Sequence, residues 1–126
     1  MKSQDQIKFA LRQFTGSQTF TRYSPSLFPN VVLTEGAEYL ADECGAYWLM
    51  DVISSHLPSV PPDEYWAIAI LTVDNGKALF TLADDSPATH VYAMQGIDYT
   101  DFPLDEIKLY VSHDGEFWCI LLPSEY

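Results

Sequence analysis

The stretch YWAIAILTVDNGKALFTLAD (65–84) decides how this chain is read. YWAIAILTV (65–73) and ALFTLAD (78–84) are rich in β-branched and aromatic residues, and Asp74-Asn75-Gly76-Lys77 separates them. Asn-Gly tolerates the positive φ of a two-residue turn, so the segment predicts a tight β-hairpin. Both alternating faces of 65–73 are apolar, which predicts a central strand covered on both sides. Ala67 and Ala69 share one face and leave room there for a helix to approach closely. Downstream, HVYAMQ (90–95) continues the pattern. IKLYVS (107–112) and EFWCILL (116–122) flank His113-Asp114-Gly115, a second hairpin signal. The expectation is five consecutive antiparallel strands.

Upstream the period changes from two to 3.6. Ser3 and Gln6 have capping-box spacing, and Ile7, Ala10, Leu11 and Phe14 fall on one face of a helix near 4–14. Gly16 should stop it. QTFTRY (18–23) is strand-like and 25–29 reads as a loop. Thr34 can cap a longer helix running to about Ser55, with Glu35 and Glu38 favouring its N-terminal dipole. Ala37, Leu40, Ala41, Cys44, Tyr47, Trp48 and Val52 make its apolar stripe. In YWLMDVI (47–53) the helix becomes apolar nearly all round, as expected of burial on two sides or at a subunit contact. The predicted fold is α+β: a five-stranded antiparallel meander packed by one long helix and a shorter N-terminal one, in a single domain spanning 1–126.

Charge narrows the function classes. The net charge is -12, with residues 1–34 carrying +3 and residues 35–126 carrying -15. Phosphate-binding surfaces need the opposite sign, so direct nucleic-acid binding is disfavoured, and anionic membranes with it. No apolar run approaches the ~20 residues of a membrane span. MKSQDQIKF lacks the apolar core of a secretory signal. Cys44 and Cys119 lack C-x-x-C spacing and read as buried thiols. A cytoplasmic location is expected.

The phrases LRQFTGSQTFTRY, LTEGAEYLADECGAYWLMDVI, QGIDYTDFPL and CILLPSEY together resemble a family of small bacterial proteins known only as a domain of unknown function. The resemblance covers nearly the whole chain. It implies a small cytosolic bacterial domain without an assigned activity, and it transfers no catalytic residue.

Chemistry-bearing patterns are sparse. Asp51 lies at the edge of the Cys44–Tyr47–Trp48 stripe, away from the other acids of its helix. It is either a general acid/base in a pocket walled by Tyr47 and Trp48, or a structural acceptor for loop amides or a tyrosine hydroxyl. His56, His90 and His113 have no metal-ligand spacing. There is no nucleophile elbow, phosphate loop or dinucleotide fingerprint, so no cofactor is expected. Asp98, Asp101, Asp105 and Glu106 lack the pattern of a calcium loop. They are a solvated rim, an acidic face for a protein partner or a divalent-ion site, in that order, with Phe102, Leu104, Ile107 and Leu109 pinning the connection to the core. Tyr92 and Tyr110, with Trp66 and Trp118, lie on strands apolar on both faces, an arrangement interfaces use. The leading expectation is a non-enzymatic protein-binding or regulatory module. Self-association is the economical form of it, and mimicry of nucleic-acid charge a variant. The competing class is a small enzyme built on Asp51.

Overall fold

The computed structural model describes residues 3–16 and 20–126. The hairpin is as the sequence demands. β3 (Trp66–Asp74) and β4 (Lys77–Ala83) pair antiparallel from Asp74↔Lys77, with Asn75 at φ 53° and Gly76 at φ 74° in the turn. β5 (Val91–Ile97) adds to β4, and β6 (Glu106–His113) turns into β7 (Trp118–Leu121) through Asp114 and Gly115.

The meander does not continue across all five strands. β6 pairs with the far side of β3, not with β5, and two strands outside the predicted five extend the sheet: β1 (Phe20–Ser24), in the segment read as strand-like, and β2 (Phe28–Thr34), which has no counterpart in the prediction. The result is a seven-stranded mixed sheet in the order β1-β2-β7-β6-β3-β4-β5, in which β2 runs parallel to β7. A central β3 needs a neighbour on each side. The connection 98–105 supplies one by carrying the chain back past the β3–β4 turn, where Asp105 O accepts from Val73 N. The predicted loop 25–29 is shorter than expected, since Phe28 and Pro29 open β2. Pro29 costs no hydrogen bond to β7, because that pairing starts at Val31. In the strand-like segment 18–23, residues 18 and 19 lie outside the described residues.

The long helix is two helices. α1 (Gln4–Leu11) begins at the Ser3/Gln6 capping box, with both reciprocal bonds formed. α2 (Glu35–Glu43) ends in a Schellman motif: Gly45 sits at φ 58°, and Ala46 N donates to Ala41 O at 2.8 Å. α3 (Tyr47–His56) then restarts on a new phase. Ala37, Leu40, Ala41 and Cys44 are buried as predicted. Beyond the break the buried set is Leu49, Met50 and Ile53, whereas Tyr47 is exposed and Trp48 and Val52 are half-buried. The all-round apolar character of 47–53 is the sequence mark of that reset.

Strand parity shows where the core lies. Val31, Leu33, Ala67, Ala69, Leu71, Phe80, Leu82, Leu109, Val111 and Ile120 share one face of the sheet, and all join the helices in one buried cluster. Their neighbours on the other face, such as Val32, Cys119, Ser112, Tyr110, Trp66, Ile68 and Ile70, are outside that cluster. Strand β3 is therefore central but is covered by helices on one side alone. The predicted two-sided cover is formed in part: on the open face Ile68 is buried among side chains, and Trp66 and Ile70 are half-buried.

Candidate binding surface

The uncovered face is not a polar, solvated one. Trp66 and Tyr110 lie side by side on β3 and β6 with ring centroids 4.8 Å apart, and Tyr126 folds back onto both at 5.1 and 5.7 Å. Beside this cluster the sheet forms an open hollow of about 470 Å³, lined by Phe20, Arg22, Val32, Cys119, Leu121 and Tyr126 among others. The Arg22 guanidinium lies 5.7 Å above the Phe117 ring, a cation–π distance, and donates to Pro29 O at 2.7 Å. Asp114 closes the far margin. Its Oδ1 accepts from Glu116 N and Phe117 N, and these bonds hold its carboxyl below the usual range. At the other edge of the sheet Leu79, Val91 and Met94 are exposed on the same face.

Charge is nearly balanced on this face. Arg22, Lys77 and Lys108 project there with Asp74 and Glu106, and Asp114 stands at the rim. Glu35, Glu38, Asp42, Glu43 and Asp51 lie on α2 and α3, on the opposite side of the sheet.

The structure separates the candidate residues. Asp51 is exposed and accepts a short hydrogen bond from the Tyr23 hydroxyl. Tyr23, from β1, also bonds Tyr47 O at 3.0 Å and stacks on the Tyr47 and Phe28 rings. Burial first, then the bond to Asp51, raises the Tyr23 hydroxyl far above its ordinary value. Tyr47 bonds Asp42 at 2.7 Å and is pushed up to about 12, chiefly by that bond. Trp48 points elsewhere, edge-on to Phe102. Tyr47 and Trp48 thus do not wall a pocket around Asp51, and Asp51 acts as the acceptor for the Tyr23 hydroxyl.

The two tyrosines give an alkaline signature. Both hold their protons more tightly when folded, so their contribution is intact below pH 10 and is lost as pH rises towards about 12. A chemical-denaturation series should show stability falling over that window, and Tyr23→Phe should flatten the fall.

Asp98, Asp101, Asp105 and Glu106 are all exposed. The connection that carries them is anchored from beneath. Thr100 N donates to Gly76 O at 2.7 Å, Phe102 N donates to the Thr100 hydroxyl, and Phe102, Leu104 and Leu109 are buried, with Ile107 half-buried. Among the described residues no three His, Cys, Asp or Glu side chains converge as metal ligands would. At matched ionic strength Mg²⁺, Ca²⁺, Mn²⁺ and Zn²⁺ should therefore move the unfolding midpoint no more than NaCl does. A specific rise of several degrees for one ion would reveal a site.

Tyr110 belongs to the open face, whereas Tyr92 packs against the core beneath the helices. Tyr92 also lies at the end of the sheet away from 98–106, where burial first, and then Glu64, Asp84 and Asp63, raise its hydroxyl. The acids and the two tyrosines do not form one surface. The histidines are dispersed too. His56 bonds Gln95 and stacks on Phe80, His90 bonds Asp84, and His113 packs between Tyr65 and Trp118. Both thiols are pushed up to about 11, mainly by burial, which leaves them poor nucleophiles at neutral pH.

Two features escaped the sequence. Arg22 and Phe117 are far apart in the chain and meet only through the β2–β7 pairing. Glu125 is a buried carboxylate, 7% exposed, set against the start of α2. Its one local sign is the Pro123 that opens the final 3-10 turn Pro123–Glu125.

No helix among the described residues is long and apolar enough to cross a membrane. No curated protein matches the chain. Among solved structures it is similar to a crystal structure of a protein of unknown function from Enterococcus faecalis, with 20% identity over 86% of this chain and 98% of that one and a TM-score of 0.44. Residues 5–126 match the family of unknown function DUF6876, and the chain belongs to that family.

Proposed function

We propose that this chain is a single-domain, non-enzymatic protein-binding module that docks through the open face of its sheet, first of all onto a second copy of itself. The uncovered aromatic face supports this most directly. Trp66, Tyr110 and Tyr126 stand at its centre, and exposed Phe20 and Met94 lie on the strands at its two edges. Apolar surface of this extent, rimmed by a few charges, is typical of an interface. Six strand spacings of about 4.8 Å make the face roughly 29 Å wide, the scale a stable contact needs.

Electrostatics selects the occupant. A chain of net charge -12 repels its own copy over most orientations. The open face carries a near balance of Arg22, Lys77 and Lys108 against Asp74, Glu106 and Asp114, so two copies can meet there without opposing their acidic helices. Static light scattering should give the mass of two chains. A one-chain mass across the accessible concentration range would overturn the proposal.

A dimer so formed would present α2 and α3 of each copy outward, with the acids Glu35, Glu38, Asp42 and Asp51 on the side facing a basic protein. That arrangement favours the charge-mimic variant, in which binding weakens steeply with added salt. Against the enzymatic alternative stands the Asp51 carboxylate already accepting from the Tyr23 hydroxyl.

A further inference from the structure

Two register rows cross the open face, and their opposite ends are complementary. The first runs Arg22–Val32–Cys119–Ser112–Trp66 over β1, β2, β7, β6 and β3. Because Ile68 pairs with Ala83, Trp66 stands level with Asp85, an exposed residue just past the end of β4. A cation and an acid therefore bound this row at opposite sides of the sheet. The second row starts at Phe20, which pairs with Thr34. The β2–β7 register, carried one residue on, leads from Thr34 to Leu121, and the row continues through Tyr110, Ile68 and Ala83 to Val91. Phe20 and Val91 are exposed apolar residues. Strand β6, with Ser112 and Tyr110, is the middle one of the seven.

Arg22 lacks a counter-charge. It donates to Pro29 O and lies over Phe117, but among the described residues it pairs with no carboxylate. FTRYS (20–24) and FPNVVLT (28–34) contain no acid. A two-fold axis laid across the strands sets β1 on the partner's β1, and neither β1 nor β2 offers Arg22 an acid there. An axis laid along β6 exchanges the two halves of the face instead. It brings the partner's Asp85 to Arg22, the partner's Val91 to Phe20 and the partner's Trp66 to the hollow beside Cys119, each contact occurring twice. An apolar cavity of about 150 Å³ accepts benzene, so the hollow of about 470 Å³ has room for an indole. Lys108 stands near this axis with Glu106 two residues away on the same face, so the centre is neutral in sum.

We infer that the second copy docks about an axis along β6, with Arg22 of each copy paired to the partner's Asp85 and the hollow of each taking the partner's Trp66. The inference rests on the face-to-face dimer proposed above and fixes which parts of the face meet. Opposite charge meets opposite charge at the margins, and apolar surface meets apolar surface between them. The two sheets then stack near the aligned angle of about 30° common in sandwiches.

Light scattering over a dilution series of Arg22→Glu, Asp85→Lys and their equimolar mixture tests the axis. Each single variant should associate about 10-fold or more weakly than the parent, because two contacts turn from attraction to repulsion. Asp85→Lys also reduces the net negative charge, which by itself favours association, so weakening there is diagnostic. The mixture should recover the parent's affinity, since a mixed dimer pairs opposite charges at both contacts. Circular dichroism should match the parent throughout. A second measurement leaves Arg22 untouched: a Phe20→Cys chain and a Val91→Cys chain, each also carrying Cys119→Ser, are treated with a short bismaleimide. Cross-linked pairs should form in the mixture and not from either chain alone. With the parent at the mass of two chains, undiminished association of Asp85→Lys or no recovery in the mixture overturns the axis and leaves the dimer standing. Cross-linking of Phe20→Cys with itself, or none in the mixture, has the same meaning. A one-chain mass for the parent removes both.

Discussion

Glu125→Ala is expected to cost about 3 kcal/mol or more of stability, since it strips a buried carboxylate from donors that have no other partner of equal quality. Glu125 Oε1 accepts from the Thr34 hydroxyl at 2.6 Å and from Leu122 N at 2.9 Å, and Oε2 accepts from Gly36 N at 3.1 Å. Thr34 is the N-cap of α2 and accepts from Ala37 N, so the carboxylate also fixes the cap. Its negative charge stands at the positive end of the helix dipole. The last 3-10 turn thus locks the helical layer to the end of the sheet. The site is tight enough to reverse an ordinary rule. Glycine to alanine inside a helix usually gains up to ~1 kcal/mol. At Gly36 a Cβ would stand 2.5 Å from both Glu125 Oε1 and Leu122 Cδ1, so Gly36→Ala should lose stability instead. Urea unfolding of both single variants and of the pair checks this. The pair should lose less than the sum, because removing Glu125 relieves part of the clash. A Gly36→Ala chain as stable as the parent would refute the lock.

That lock shows what a sequence carries and what it does not. The Ser3/Gln6 box, the Thr34 cap and the Asn75-Gly76 turn were legible to the residue, because each is decided by atoms within three or four positions. Phe102 and Leu104 were likewise identified as the anchors of the acidic connection. Gly45 carried an equally local signal, a glycine after a periodic run. It was outweighed by the apolar residues beyond it, which fit a continued helix nearly as well as a restarted one. Strand order has no such local determinant. The alternation in 107–112 describes a strand equally well beside β5 or beside β3, and nothing in 28–34 announces a parallel neighbour from 118–121. The candidate site divides in the same way. Asp51 could be placed at the edge of its helix, and a tyrosine hydroxyl was among its expected partners, but the phase reset at Gly45 turned it to solvent. Glu125 and the Arg22–Phe117 contact depend on neighbours remote in sequence, and beyond Pro123 at the final turn nothing in the chain marks them.

Charging the open face should dissociate the proposed dimer without unfolding the subunit. Phe20→Asp and Met94→Asp suit this purpose, because both side chains are more than half exposed and lie on edge strands at opposite limits of the sheet. Exposed substitutions of this kind change folding stability by about 0.5 kcal/mol or less. In an isologous contact each change appears twice, so two carboxylates lose solvent on association and add to the mutual repulsion of chains that are already acidic. An uncompensated interfacial charge costs several kcal/mol, and every 1.4 kcal/mol is tenfold, so each variant should weaken association by at least about 100-fold. Phe9→Asp is the matched control: Phe9 is 62% exposed but lies on α1, and it should leave the mass unchanged. The contrast separates a specific face from general stickiness. If all three variants dissociate the dimer alike, charge alone governs association, and the face has no claim to it. If Phe20→Asp and Met94→Asp yield single chains while Phe9→Asp does not, the aromatic face is the contact, and the acidic helices of each copy are left pointing outward.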